Sequence, residues 1–240
     1  MRIKATISYD GSHFFGFQSQ KSSHDTVIDS LKAALKSLGI DSNIVGAGRT
    51  DKGVHATNQI ISFDLPHFWN DTVKLKKELD QKLKYIKIKK ITAADDNFHP
   101  RFDAKKREYI YIFKTKSVNI FEQNYIGYYS NFDEQKLKSA LKIFEGLHDF
   151  KLFCKTDENQ TNTMCTIYKT GYKKYKNYNL IKISANRFLR SQVRMIVEAS
   201  MKYAMDQISL EMLTQQLKGD KKHSTTLAPP SGLYLSKVIY

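Results

Sequence analysis

The chain has 240 residues, of which 41% are hydrophobic, so it can bury a core and widespread disorder is excluded. Lysine and arginine together number 39 against 24 acidic residues, which gives a formal net charge of +15 and a pI near 9.6. This charge favours a polyanionic partner, most simply a nucleic acid, although a lysine-rich genome would produce the same excess. The sequence contains no apolar run long enough to span a bilayer, so we expect no membrane association.

The N-terminus and the cysteines bear on the compartment. Met1 to Ile3 leads directly into a strand pattern, which predicts that there is no signal peptide. The only two cysteines, Cys154 and Cys165, fit a reducing cytoplasm without a disulfide framework. Their spacing matches no zinc signature, and His148 would be the third ligand of any metal. We favour structural roles for all three residues and predict no metal site.

The first half of the chain alternates strands and helices. Its apolar pattern predicts, in order, a strand at 3–9, a helix at 27–38, strands at 43–45 and 59–63, a helix at 71–83 and a strand at 86–92. Asp25 or Thr26 can cap the first helix, Gly39 can close it, and Asp71 can cap the second. The order β-α-β-β-α-β is the split pattern of ferredoxin-like folds.

The second half repeats this order. It predicts a strand at 109–113, a helix at 137–144, strands at 164–172 and 178–184, helices at 188–205 and 210–217, and a strand at 233–238. We therefore predict an α+β fold of two ferredoxin-like halves with mainly antiparallel sheets, divided into domains 1–104 and 105–240. Because no low-complexity linker separates them, we expect the sheets to join around a central basic cleft.

The stretch 46–56, GAGRTDKGVHA, lies between the second and third predicted strands. Its glycines free the backbone and leave Arg49 and Asp51 unshielded. A neighbouring guanidinium favours the ionised form of a carboxylate, and an ionised aspartate on an open loop can act as a nucleophile. The residues Thr50 to Gly53 are equally typical of an ordinary hairpin turn. This stretch alone leaves both interpretations open.

Basic and aromatic side chains supply further candidates for nucleic-acid contacts. The eight lysines between residues 74 and 90 are best interpreted as a solvated face. Arginine grips phosphate with a planar fork, and six arginines lie beside loops, glycines or aromatics: Arg49, Arg101, Arg107, Arg187, Arg190 and Arg194. Four tyrosines offer faces on which bases can stack: Tyr109, Tyr172, Tyr175 and Tyr178. The loop at 173–177, which corresponds in the second half to 46–56, is basic and aromatic but has no carboxylate.

Six motifs in order resemble those of the TruA-type tRNA pseudouridine synthases along essentially the whole chain. They are Tyr9-Asp10-Gly11 with Phe14, Gly16 and Gln18-Ser19-Gln20; Gly48 to Ala56; Phe98 to Phe102 with Arg107 to Tyr111; Gly146 to Phe150; Phe188-Leu189 with Val193-Arg194; and Ala228 to Leu235. Because the six occur together at sensible spacing, the resemblance favours the site interpretation of Asp51 over the turn interpretation.

The resemblance implies roles for individual residues. Asp51 matches the catalytic aspartate, and Arg49 matches the arginine that helps to move the target base out of its stack. Tyr109 matches the tyrosine that stacks on the flipped uracil and is a candidate general base. Arg194 matches the arginine that pairs with the catalytic carboxylate. Arg101 and Arg107, within or beside these motifs, are also predicted to bind substrate.

The resemblance further implies two α+β domains, a homodimer, no cofactor and no metal. It implies isomerisation of uridines on the 3′ side of the anticodon arm of tRNA. Two positions depart from the family pattern: Gln192 replaces a usual Met, and Glu198 replaces a usual Gly. Two other functions stay open, a pseudouridine synthase acting on a different RNA and a non-catalytic RNA-binding module. The second leaves Asp51 without purpose, because a carboxylate in a basic loop weakens phosphate binding.

Overall fold

The computed structural model describes residues 1–20, 25–155 and 162–240. The chain divides into two compact units, Met1–Lys105 with Leu235–Tyr240, and Lys106–Tyr234. The division at Lys105 is one residue from the expected domain boundary. The last six residues group with the first unit, whereas the sequence analysis assigned them to the second domain.

Hydrogen bonds explain why the C-terminal segment belongs to the first unit. The Asn58 side-chain amide donates to the carbonyl of Ser236 at 2.7 Å. The Tyr240 hydroxyl donates to the carbonyl of Pro100 at 2.9 Å. The backbone N–H of Lys105 donates to the carbonyl of Ile239 at 2.8 Å. These bonds join residues far apart in sequence, so apolar periodicity alone could not reveal them.

The first unit has the predicted order β-α-β-β-α-β. Its elements are β1 (Arg2–Tyr9), α1 (Val27–Lys36), β2 (Val45–Gly46), β3 (His55–Asp64), α2 (Thr72–Lys82) and β4 (Ile86–Ala93), with a 3₁₀ turn at Gly11–His13. Strand β1 pairs antiparallel with both β3 and β4, and β2 pairs antiparallel with one end of β3. The sheet order is therefore β4-β1-β3, with β2 beyond β3. The split βαβ prediction for this half is confirmed.

Local sequence signals account for these elements. The side chains of Ile3, Ala5, Ile7 and Tyr9 are buried, as the alternation along β1 predicts. Thr26, one of the two expected caps, begins α1 because its hydroxyl accepts from the backbone N–H of Asp29. The Asp71 carboxylate caps α2 by accepting two backbone N–H groups of the first turn, each at 2.9 Å. Both capping predictions are confirmed.

The second unit contains the remaining elements. They are β5 (Lys106–Lys114), β6 (Gly127–Tyr128), α3 (Glu134–Ile143), β7 (Gly146–Asp149), β8 (Met164–Tyr175), β9 (Tyr178–Ala185), α4 (Gln192–Ala204), α5 (Leu210–Lys218) and β10 (Leu233–Ile239), whose last residues enter the first unit. Its strands follow the order β5-β9-β8-β7 with antiparallel pairing, and the short β6 pairs parallel with β5. The α+β prediction is confirmed, while β6 and β7 are additions to the predicted strands.

Helix α4 is shorter than the predicted helix at 188–205. It begins at Gln192 because Ser191 adopts φ 60°, a left-handed conformation that does not continue a helix. The Gln192 side-chain oxygen accepts from the backbone N–H of Leu189 at 2.7 Å. With the backbone bond from the N–H of Gln192 to the carbonyl of Leu189, it holds Leu189 to Gln192 in a turn at the start of the helix. Apolar spacing extended the predicted helix across that turn, since Leu189 is buried as a helical residue would be.

Candidate functional site

The loop between β2 and β3 carries Asp51 and is tied to the aromatic segment 14–17. The backbone N–H of Phe17 donates to the carbonyl of Thr50 at 3.1 Å, and that of Gly53 donates to the carbonyl of Phe14 at 3.4 Å. The Thr50 hydroxyl lies 2.8 Å from the buried Tyr9 hydroxyl. Burial raises the pKa of Tyr9, so this phenol stays protonated as a neutral anchor. The loop is thus held by backbone hydrogen bonds to the segment 14–17 and by the contact between the Thr50 and Tyr9 hydroxyls.

Two glycines allow the aromatic segment to approach this closely. A Cβ atom on Gly11 would lie 2.1 Å from the carbonyl oxygen of Val54. Gly16 has φ +112°, and its Cβ would lie 3.0 Å from the carbonyl oxygen of Thr50. A side chain at either position would push the loop away. Gly11 and Gly16, which belong to the first family motif, therefore leave room for the loop that carries the second motif, Gly48 to Ala56.

His55, at the end of the loop, has a structural role. The backbone N–H of Gly11 donates to its Nδ1 at 3.0 Å. The Asp10 carboxylate lies 3.3 Å from the same nitrogen and itself accepts from the Ser12 hydroxyl at 2.7 Å. The bond to Gly11 links the start of β3 to the 3₁₀ turn. His55 is only 2% exposed, so it does not face solvent.

Asp51 and Arg49 lie on either side of the inward-pointing Thr50. Thr50 is buried, Asp51 is partly exposed and Arg49 is exposed. The backbone N–H of Val54 donates to the carbonyl of Asp51 at 3.1 Å, and Gly53 has φ 77°, so the turn runs from Asp51 to Val54, one residue after the predicted Thr50 to Gly53. The turn interpretation and the site interpretation are therefore compatible. The turn fixes the backbone at the partly exposed Asp51, and the exposed Arg49 lies two residues before it.

A second set of candidate residues lies on β5 of the second unit. Arg107 and Tyr109 are two positions apart, so their side chains leave the strand on the same face. The Arg107 guanidinium donates to the carbonyl of Asn186 at 2.7 Å. The Tyr109 ring meets the Phe188 ring edge to face, with 5.1 Å between centroids. Both side chains are buried, and both contact the segment 186–188, which follows β9.

Arg194 lies in the first turn of α4 and is clamped to the segment 226–228. Its Nε donates to the carbonyl of Ala228 at 2.7 Å, and the backbone N–H of Ala228 donates back to the carbonyl of Arg194 at 3.2 Å. One turn later, the Glu198 carboxylate accepts from the hydroxyls of Tyr129 at 2.7 Å and Thr226 at 3.4 Å. Glu198, a departure from the family pattern, thus fixes the same segment at a second point.

Arg101 lies elsewhere in the first unit, on the loop that follows β4. Its backbone N–H donates to Nδ1 of His99 at 3.2 Å, and its side chain is exposed. The guanidinium carbon lies 5.7 Å from the ring centroid of Phe102, which is 74% exposed. Arg101 and Phe102 therefore form an exposed cationic and aromatic pair.

The structure therefore places the predicted site residues on distinct elements of each unit. In the first unit, Arg49 and Asp51 share one loop and Arg101 lies on another. In the second, Arg107 and Tyr109 share β5 while Arg194 lies on α4. The roles of these residues in substrate binding and catalysis stay predictions.

The residues that hold the loop are not evident from the local sequence pattern. The nearest signal in the sequence was Gln59, the last of three polar residues that precede Ile60 and Ile61 on β3. It is fully buried, its amide nitrogen donates to the carbonyl of Gly48 at 2.8 Å, and its oxygen accepts from the N–H of Ile60. A buried amide is costly unless it is hydrogen-bonded, so its place in the strand pointed to a structural requirement nearby.

The residues considered for a metal site have other surroundings. Cys154 and Cys165 are free and buried, and burial raises the pKa of the Cys165 thiol to about 11. The Nε2 atom of His148 lies 2.9 Å from the carbonyl of Glu145. Within residues 1–20, 25–155 and 162–240, no group of three His, Cys, Asp or Glu side chains is arranged to hold a metal ion. None of the helices in these ranges is long and apolar enough to cross a membrane.

Comparison with known proteins connects this site to a family. The family model described as tRNA pseudouridine synthase matches residues 5–103 and 140–240. The chain is 40% identical over 243 residues to "tRNA pseudouridine synthase A" of Helicobacter hepaticus, covering 99% of this chain and 98% of that protein. The protein of the same name from Campylobacter jejuni is 38% identical and both chains are covered completely. That of Helicobacter pylori is 41% identical with 99% of each covered.

Among solved structures, a chain of a Cbf5-Nop10-Gar1 complex matches with a TM-score of 0.36 and 12% identity, over 83% of this chain and 45% of that one. This likeness is too low to add to the assignment. The family model spans both units and includes the Asp51 loop and the Arg194 helix. The relatives match over essentially their whole length. The chain belongs to the tRNA pseudouridine synthase family.

Proposed function

We propose that the protein isomerises uridine to pseudouridine in tRNA, at uridines on the 3′ side of the anticodon arm. The observation that carries the proposal is Asp51, presented on an anchored turn in a chain that matches tRNA pseudouridine synthases from end to end. A carboxylate beside the bound RNA weakens binding in a protein of net charge +15, so a purely RNA-binding function gives Asp51 no purpose. A catalytic function does give it one.

The reaction needs only groups that this chain has. The C1′–N1 bond of uridine breaks, the uracil turns, and C5 forms a bond to C1′. N1 gains a proton and C5 loses one, so the product is an isomer of the substrate. No electrons and no chemical group come from another molecule, and we therefore propose that no cofactor takes part.

In this proposal Asp51 acts on the nucleoside as its base detaches. It attacks C1′ or C6 as a nucleophile, or acts as a base with a glycal intermediate, and the proposal leaves these routes open. Its anchored turn keeps the carboxylate in place, which lowers the entropic cost of reaching the reactive geometry. We propose that Arg194, whose Nε is fixed on the carbonyl of Ala228, pairs with this carboxylate.

The detached uracil must be kept from leaving. We propose that Tyr109 stacks on it and is a candidate to receive the proton from C5. Unstacking the target base costs a few kcal/mol. Arg49, exposed on the Asp51 loop, is proposed to offset this cost by filling the vacated space. Arg101 and Arg107 are proposed as further contacts to the RNA.

We also propose that the protein is a cytoplasmic homodimer. The anticodon arm and the tRNA elbow lie far apart, and a second subunit would hold the body of the tRNA while the first works on the arm. An isolated anticodon stem-loop should then bind more weakly and react more slowly than full-length tRNA. Equal rates on the two substrates, or an active monomer in sedimentation, would contradict the dimer proposal.

The central experiment maps pseudouridine in total RNA from cells with and without this protein. The expected result is the loss of pseudouridine from the 3′ side of tRNA anticodon arms, restored by the wild-type chain and not by Asp51→Asn. Loss from a different RNA would replace the proposed substrate with that RNA. An unchanged map, together with no product from purified protein and tRNA, would overturn the proposal.

A further inference from the structure

The second unit has an exposed surface that the proposed chemistry does not use. We call it the α3–β8 surface. It is formed by Lys138, Leu141 and Lys142 of α3, Glu145 just after this helix, residues 168–172 of β8, and the hairpin tip at 173–177. All five residues of the tip are exposed. Side chains alternate along β8, so Tyr172 and Lys174 lie on the face toward α3, near Lys138 and Glu134, and Lys173 and Tyr175 lie on the opposite face. The surface therefore wraps around this end of β8.

Positive charge dominates this surface. Six lysines lie on it, at positions 138, 142, 169, 173, 174 and 176, against two glutamates at 134 and 145. Glu145 already accepts from the backbone N–H of Thr170 at 2.8 Å, from the Thr170 hydroxyl at 3.0 Å, and from Lys142. Burial opposes ionisation of Glu145, but these hydrogen bonds outweigh it and lower its pKa. The carboxylate therefore neutralises Lys142 and little else.

The positive charges of the other lysines are not neutralised by a close carboxylate among the described residues. Lys138, Lys169, Lys173 and Lys176 form no ion pair with any residue that the structure describes. Lys174 reaches Glu134 only at 4.0 Å, and both side chains are well exposed, so water screens the pair. Four to five positive charges therefore face solvent around this end of β8, which creates a local attraction for a polyanion.

Aromatic faces lie among these charges. Tyr168 is 49% exposed and Tyr175 is 56% exposed. Tyr172 forms part of the floor, because its hydroxyl donates to the side-chain oxygen of Asn179 at 2.6 Å while Lys138 lies 5.7 Å from its ring centroid. Exposed tyrosine rings between lysines are the composition with which proteins hold single-stranded nucleic acid without reading its sequence.

The surface is separate from the residues on β5. Strand β8 pairs with β9, and β9 pairs with β5, which carries Arg107 and Tyr109. Two strand spacings amount to about 10 Å. A nucleic acid held at β8 is therefore contacted outside the reacting nucleotide.

We infer that the α3–β8 surface binds the sugar–phosphate backbone of the tRNA substrate, away from the uridine that reacts. The inference rests on the proposed function, because it takes its ligand to be tRNA. Lysine contacts phosphate as a point charge and carries no base specificity. The surface therefore contributes affinity for tRNA as a whole and leaves the choice of uridine to the Asp51 region.

The test compares a variant that loses three lysine charges from the α3–β8 surface with a control that loses three from the first unit. The test variant carries Lys138→Gln, Lys169→Gln and Lys173→Gln. The matched control carries Lys32→Gln, Lys36→Gln and Lys77→Gln, three exposed helical lysines of the first unit that form no ion pair with the described residues. Both variants lower the net charge by three, so the general attraction of the protein for RNA changes equally.

Affinity for full-length tRNA is measured in an Asp51→Asn background over a range of salt concentrations. Each lost phosphate contact should lower the slope of log K against log salt by roughly 0.7–0.9. The test variant should therefore lose about two units of slope and on the order of tenfold in affinity, and the control far less. With Asp51 restored, the test variant should show a raised KM for full-length tRNA and an unchanged kcat.

Three results would overturn the inference. One is a test variant whose affinity and salt slope match those of the control. Another is a change of sedimentation from dimer to monomer, which would make the surface a contact between copies of this chain. The third is loss of an acidic protein partner with tRNA binding unaffected. Wild-type protein that binds tRNA in the predicted salt-dependent way but forms no pseudouridine would instead refute the proposed function alone.

Discussion

The loop 47–54 and the hairpin tip 173–177 connect corresponding strands of the two units but are built in opposite ways. The first spans eight residues between β2 and β3 and is tied to the segment 14–17 by two backbone hydrogen bonds. The second is a tight turn between β8 and β9 whose residues are all exposed. The anchored loop suits chemistry that requires a fixed carboxylate. The exposed tip suits adaptable contacts to a phosphate backbone.

Removing the Asp51 carboxylate should have the largest effect. Asp51→Asn keeps the size of the side chain but loses its charge and most of its nucleophilicity. We expect the rate of pseudouridine formation to fall by at least about a thousandfold, within the range seen when a nucleophile is removed. Binding of tRNA should be largely retained. Rate and affinity are measured with purified protein and full-length tRNA.

Asp41→Asn is the matched control, since Asp41 is an exposed carboxylate of the same unit outside the loop. It should react at the wild-type rate. Normal turnover by Asp51→Asn would remove Asp51 from the mechanism, and with it the contrast between an anchored catalytic loop and an adaptable hairpin.

Tyr109 should give the next largest effect. Tyr109→Phe keeps the ring and its edge-to-face contact with Phe188, so activity should fall while tRNA binding stays unchanged. Tyr109→Leu also removes the stacking face, worth about 1–3 kcal/mol per base, or roughly 5- to 150-fold in the rate at limiting tRNA. Single-turnover rates of both variants provide the measurement.

Wild-type rates in Tyr109→Leu would show that the uracil stacks on another residue. Tyr168→Leu is the control on the second unit, because this tyrosine is exposed on the α3–β8 surface. It should affect affinity for whole tRNA and leave the rate at saturating tRNA unchanged.

The anchoring itself can be broken at Gly16. Gly16→Ala places a side chain on a backbone of φ +112° and 3.0 Å from the carbonyl oxygen of Thr50. We expect the free energy of unfolding to fall by about 1–3 kcal/mol and kcat to fall with it, because the loop must move. Chemical denaturation and steady-state kinetics measure the two effects.

Gly48→Ala serves as the control within the same loop. A Cβ atom at Gly48 would meet nothing within 4 Å, so the free energy of unfolding should change by less than about 0.5 kcal/mol. If Gly16→Ala were as stable and as active as wild type, the loop would not depend on the aromatic segment for its position.

These anchors show where prediction from sequence stops. Alternation on β1, the caps Thr26 and Asp71 and the split βαβ order all depend on neighbours in the chain, and the sequence predicted them. The motifs also identified Asp51 as a candidate. The bonds of Phe14 and Phe17 to the loop join residues more than thirty positions apart, and no local pattern encodes them. The glycines were visible in the sequence, but the backbone that each one approaches was not.

The second unit shows the same limit. Strand β6 is only two residues long, too short to give any periodicity. Strand β7 has exposed residues at Gly146 and Leu147, so it lacks the alternating burial that would predict a strand. It is a strand because it pairs with β8. The start of α4 is set by one residue, Ser191, in a left-handed conformation. In the sequence Glu198 stands out only as a departure from the family pattern, whereas in the structure it accepts hydrogen bonds from Tyr129 and Thr226.

The smallest effect is expected at the hairpin tip. Lys176 has φ 52° in the two-residue turn between Tyr175 and Tyr178, a conformation that asparagine tolerates better than lysine does. Lys176→Asn should therefore raise the free energy of unfolding by a few tenths of a kcal/mol, since few other contacts change at an exposed turn.

The matched change is Gly53→Asn, which places the same residue at φ 77° in the anchored loop. There it should cost about 1 kcal/mol, because asparagine still bears a Cβ and the N–H of Gly53 is bonded to the carbonyl of Phe14. Denaturation midpoints of the two variants give the comparison directly. A loss of more than about 1 kcal/mol at Lys176, or none at Gly53, would mean that the two connections do not differ in rigidity as their hydrogen bonds indicate.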